Sequence, residues 1–114
     1  MLVNADCTVY EADTYARHEL HRIYWNDSRG RTVARSGIQI ADSVIVYLYG
    51  SGYVPKKGDL LVRGITDFAF DAKDAHSISE SMKQFRKVHP DFAVVKNVQD
   101  ARYGGLPHIE VTAR

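Results

Sequence analysis

Cysteine is almost absent from this chain of 114 residues: Cys7 stands alone, so it can form neither an internal disulfide nor a thiolate cage for a metal. An excess of charge of one sign is missing as well. Fifteen Lys and Arg against fourteen Asp and Glu leave a formal net charge of +1, which supplies no field to draw the chain onto nucleic acid or an anionic membrane. Long apolar runs are lacking; the longest, Val44 to Tyr49, is far too short to cross a bilayer. The first residues, MLVNADCTVYEAD, carry neither the basic region nor the apolar stretch of a secretory signal. Repeats, low-complexity tracts and linkers are missing too. These absences lead to the expectation of one soluble domain, assembled in a reducing cytoplasm, with no membrane partner.

What is present is a dense β pattern. Between Ala41 and Asp67 the chain reads as two strands, Ser43 to Tyr49 and Leu60 to Ile65, joined by a loop that closes with Pro-Lys-Lys-Gly-Asp. The first carries Val44, Val46 and Leu48 on one face and Ile45, Tyr47 and Tyr49 on the other. In the second, Leu60 and Val62 share a face opposite Leu61 and Arg63. Earlier strands are expected over Ala5 to Tyr10 and Ala16 to Trp25, with a turn over residues 26–30 and a short or bulged strand around Gly37. Late strands are expected over Phe92 to Val98 and His108 to Thr112. Ser77-Ile78-Ser79-Glu80 has the form of a capping box, and Ile78, Met82 and Phe85 then recur at helical spacing until Pro90. The pattern predicts a mainly β fold: a small barrel or sandwich of six to seven short strands with one accessory helix over about 77–89.

No constellation for catalysis emerges, and no cofactor or metal is expected. His18 and His21, with Asp13 and Glu19 nearby, would converge on a helix, but on a strand positions three apart point to opposite sides. Asp71, Asp74 and His76 lack the spacing of a calcium loop and suit a polar connector before a helix N-terminus. Cys7, in an alternating strand, reads as a small buried side chain rather than a nucleophile. Gly50-Ser51-Gly52 has no lysine with a following Ser or Thr to cradle phosphate, and Gly104-Gly105 reads as a turn. Lys83, Arg86 and Lys87 form a basic helix face, a contact patch for an acidic partner or simply the solvated side of an amphipathic helix.

Tyrosine is the one excess, seven in all. Strands favour it, yet a central strand apolar on both faces needs cover on both. That second cover is either the helix or a neighbouring subunit, and Ile45, Tyr47, Tyr49 and Tyr53 are the candidate interface residues, since tyrosine buries a large ring while keeping a polar tip.

Five segments, NADCTVY at 4–10, Ile-Tyr-Trp at 23–25, GIQIADSVIVY at 37–47, VPKKGDLLVRG at 54–64 and YGGLPHIEV at 103–111, span nearly the whole chain in order. In these the sequence resembles a family of small proteins from the head-to-tail module of tailed phages and prophages of Gram-positive bacteria, the minor capsid, head-completion or head-closure proteins. The resemblance implies a β-barrel, a homo-oligomeric ring between portal or adaptor and tail, a location in the virion neck, and no catalytic residues. It also implies loops near a channel for duplex DNA. Arg29, Arg31, Lys56 and Lys57, paired cations on turns, are the candidates for lumen or ring contact. The alternative is a small barrel binding single-stranded nucleic acid, with Tyr47, Tyr49 and Phe68 stacking bases and Arg63 and Lys56 beside them.

Overall fold

The computed structural model describes residues 3–29, 43–50, 52–100 and 107–114. Its elements in chain order are β1 (Ala5–Tyr10), β2 (Arg17–Asp27), β3 (Val44–Leu48), β4 (Leu60–Arg63), α1 (Ala75–Val88), β5 (Ala93–Asp100) and β6 (Ile109–Ala113). The strands close into an antiparallel barrel in the order β1-β2-β3-β6-β5-β4, so β3 and β4 lie on opposite sides. Closure removes the exposed strand edges that invite aggregation.

Alternation along each strand fills the interior. Cys7 and Val9 of β1 meet Leu20, Ile23 and Trp25 of β2, Val46 of β3, Leu61 of β4, and alternate small residues of β5 and β6. A barrel of this size is packed solid with side chains rather than hollow. Any channel in an assembly would therefore run between subunits and not through one.

Two bulges reconcile sequence with register. In β2, Cys7 pairs with Leu20 but Ala5 pairs with Ile23, so one extra residue is absorbed where Arg22 takes a φ of 58°. Without that bulge, Leu20 and Ile23 would point to opposite sides; with it, both are core. A second irregularity lies between Val95 and Asn97 of β5.

The helix lies outside the barrel on one flank. Phe85, fully buried, sits among Tyr10 of β1, Leu60 and Val62 of β4, and Phe92 and Val94 next to and within β5. Phe68 and Phe70, from the irregular stretch before the helix, complete this second cluster, with ring centroids 5.4 and 5.1 Å from that of Phe85. Tyr10 joins it and donates its hydroxyl to the Phe68 carbonyl at 2.7 Å.

Three expectations from the sequence change here. The helix starts at Ala75, with Asp74 as N-cap accepting the Ser77 N–H at 2.8 Å. The capping-box serine is thus the donor to a cap three residues earlier, and Asp74 serves capping rather than cation binding. Asn26 and Asp27, expected in a turn, continue β2 and pair with Ile45 and Val44; ladder hydrogen bonds outweigh their turn preference. The helix also does not cover the outer face of β3, because it packs on the opposite flank. The strand expected around Gly37 lies outside the described residues, as does Arg31.

Candidate functional site

Two places concentrate side-chain chemistry. The first is the barrel end where β1 passes into β2 and β3 into β4. Asp59 is completely buried there. Its Oδ1 accepts the Ala12 N–H at 2.9 Å, and its Oδ2 accepts the Tyr53 hydroxyl at 2.6 Å and the Lys56 N–H at 3.0 Å. The Tyr53 ring stacks on His18 with centroids 3.9 Å apart and planes 4° from parallel. His18 Nε2 lies 2.9 Å from Glu11 Oε2, and Lys56 Nζ reaches Glu11 at 3.3 Å and Asp59 at 3.5 Å. Burial, with the acceptor Asp59 second, pushes the Tyr53 phenol up to about 12. Hydrogen bonds from His18 and then Lys56 hold the Glu11 carboxyl below its ordinary range. Gly58, at φ +95°, turns the loop past Ala12, where a Cβ would sit 3.2 Å from that alanine's own. Asp59, Tyr53, Lys56, Glu11 and His18 are thus linked one to the next by these contacts. The network is a staple that fastens residues 53–59 to the β1–β2 turn.

The second place is the outer face of β2, β3 and β6. In the register, Tyr24 pairs with Tyr47 and Tyr47 with Glu110, and the two tyrosine rings are 5.3 Å apart. His108 lies 4.7 Å from the Tyr47 ring. The next row holds Asn26, Ile45 and Thr112. Tyr24, Ile45, Tyr47, Tyr49 and Glu110 are all half-buried, the state of side chains that lie flat on a sheet. This row forms an aromatic strip on the outer wall of the barrel.

With this geometry established, comparison with known protein families gives a match over nearly the whole chain: residues 2–114 fit the family of unknown function DUF6751. The chain belongs to the DUF6751 family. No curated protein and no solved structure matches it.

In this DUF6751 member the remaining sequence candidates are scattered. Tyr53 and Lys56 are bound into the Asp59 staple, while Lys57 is exposed on the same loop. Arg29 sits at the other end of the barrel, paired with Asp27 at 2.9 Å and donating to the carbonyls of Asp91 and Phe92. Arg29 and the Lys56–Lys57 pair therefore lie at opposite ends of the barrel. Tyr49 and Tyr53 line a shallow hollow of about 210 Å³ where β2 and β3 part. His21 turns away from His18, toward Glu19 at 3.2 Å and Asp6 at 3.7 Å, and no metal-holding cluster forms among the described residues. Asp71 accepts the Lys73 N–H in the connector, and His76 is exposed. Lys83, Arg86 and Lys87 are exposed on the helix, with Lys83 3.3 Å from Glu80. Phe68 is held in the cluster under the helix, so it does not share a face with Tyr47 and Tyr49.

Cys7 is sealed in the barrel core, and burial, with Asp6 adding to it, pushes its thiol up to about 12. A raised acid value favours the fold in the neutral form: the contribution is complete below the ordinary thiol value and is lost as pH rises through the folded one. At pH 8 the native protein is expected to resist a thiol reagent that labels it fully in denaturant. Rapid native labelling would mean that this part of the barrel opens.

Sequence reading passed over Asp59, Glu11, Tyr24 and Glu110. A carboxylate wedged between Gly58 and the apolar run Leu60-Leu61-Val62 was the one local signal for Asp59. Tyr24 and Glu110 become visible only once register places them beside Tyr47.

Proposed function

We propose that the protein is a structural subunit of a phage or prophage head–tail connector, assembling as a ring between the portal or adaptor and the tail. The observation that carries this reading is the tyrosine row of β2 and β3, on the flank that the protein's own helix leaves uncovered. The extended resemblance to head-closure proteins and the closed barrel that it implied support the same reading. Contact surfaces enriched in tyrosine and set on a rigid barrel suit assembly.

The test is the mass of the purified protein in solution, repeated after mixing with the portal–adaptor complex of the same genome. The expected result is stoichiometric incorporation as a ring, and Tyr47→Ala is expected to weaken incorporation about thirtyfold with unchanged circular dichroism. A chain that stays monomeric beside the complex and instead binds short single-stranded oligonucleotides at physiological salt would overturn the proposal in favour of a nucleic-acid-binding barrel.

A further inference from the structure

A ring closed by rotation needs head-to-tail contacts, in which two different surfaces of one subunit meet the complementary surfaces of its neighbours. The barrel offers two such surfaces on opposite flanks. Across β2, β3 and β6, the paired outward residues are Tyr24, Asn26, Ile45, Tyr47, Glu110 and Thr112, and Glu110 is the only charged one. Ile109 and Val111 point into the core, which fixes Glu110 outward beside the Tyr47 ring. The facing flank is α1, packed on β1, β4 and β5 by Phe85 and Met82. Helical spacing then turns Lys83 and Lys87 outward, with Arg86 to the side, all three exposed. Arg86 and Lys87 have no paired carboxylate of their own among the described residues, whereas Lys83 is shared with Glu80.

We infer that the helix C-terminal half of one copy docks on the tyrosine row of a second copy, with Arg86 and Lys87 directed at Glu110 and their stems lying on Tyr24 and Tyr47. The occupant is a second copy of this chain because the charges are complementary and because the two patches lie on opposite flanks. A two-fold contact, by contrast, would use one patch twice. Cations over tyrosine faces and next to a partly desolvated carboxylate give both attraction and register. Val88, 57 % exposed at the end of the same helix, adds apolar area at the rim. This inference rests on the ring reading proposed above and names its contact.

The experiment is charge reversal read by sedimentation mass, for the full chain alone at high concentration and on the connector template. Glu110→Lys and the double variant Arg86→Glu/Lys87→Glu are each expected to weaken self-association about tenfold or more. Mixing the two variants is expected to restore association between unlike copies in alternation, because each unlike neighbour offers a matched contact in both directions whereas like copies repel. A protein carrying all three reversals is expected to regain ring formation, a readout that loss of fold would not produce. A ring insensitive to all of these substitutions would overturn the contact while leaving the ring reading intact. A wild-type chain that never associates, alone or on the template, would overturn both. Loss of duplex-DNA binding by the helix variants with unchanged mass would show that the basic face serves phosphates, and would likewise overturn the contact.

Discussion

Replacing Phe85 by alanine is expected to cost about 3–5 kcal/mol, the usual penalty for emptying a buried aromatic site. Phe85 is the hub of the outer cluster: its ring lies within about 5.5 Å of Tyr10, Phe68, Phe70, His89 and Phe92. It is also the one fully buried residue of the helix. Isolated helices of 14 residues are marginal in water, so α1 persists because this side chain docks it. A domain of this size holds about 5–15 kcal/mol in total, so the variant forfeits a large fraction. Unfolding in denaturant, followed in parallel by helix dichroism and by the fluorescence of Trp25, reads the result. Trp25 reports the barrel interior, where it is buried. The helical signal of Phe85→Ala is expected to fall first or at a lower midpoint. Phe85→Leu, which keeps most of the volume, is expected to lose less than about 1.5 kcal/mol. A loss below about 1 kcal/mol for the alanine variant would show that the helix is not held by this cluster.

Asp59→Ala is expected to be comparably damaging for a different reason. Nothing apolar is lost; three donors are left without an acceptor. The N–H groups of Ala12 and Lys56 and the Tyr53 hydroxyl all point at this carboxylate, and each buried orphan costs about 1–3 kcal/mol. A total of about 3 kcal/mol or more is the expected loss of stability. The segment 53–59 is also expected to become the first site of proteolytic cleavage, since its fastening to the β1–β2 turn is gone. Asp59→Asn keeps the shape and one acceptor oxygen, so it is expected to lose about half as much. Tyr53→Phe removes a single partner and tests the staple from the other side. Equal stability of the alanine and asparagine variants would mean that the hydrogen bonds of Asp59 are not what holds the loop.

The β architecture was largely legible because strand burial has a period of two. Val44, Val46 and Leu48 are interior as their alternation predicted, and Leu61 points into the barrel while Leu60 and Val62 point out to the helix. Local rules were weaker where a distant partner intervened. Asn26 and Asp27 read as a turn and became strand because β3 was there to pair with them. Ser77 read as a cap and became the donor to one, because Asp74 precedes it at the right distance. Spacing alone put Leu20 and Ile23 on opposite faces, and only the bulge at Arg22 brought both inside.

The candidate surfaces divide in the same way. Tyr47 and the basic residues of α1 could be picked out from the chain, because exposure and periodicity are local properties. Their companions could not. Glu110 is remote from Tyr47 along the chain and meets it through the β3–β6 register; Asp59 meets Ala12 across 47 positions. Periodicity, turn chemistry and composition determined by themselves that this is a small β protein with one amphipathic helix and nearly balanced charge. Barrel closure, the flank that the helix occupies and the pairing of distant polar groups were decided only by the tertiary structure. The reason is physical: alternation depends on a residue's neighbours in the chain, whereas register, bulges and buried hydrogen bonds depend on which strands come to lie side by side.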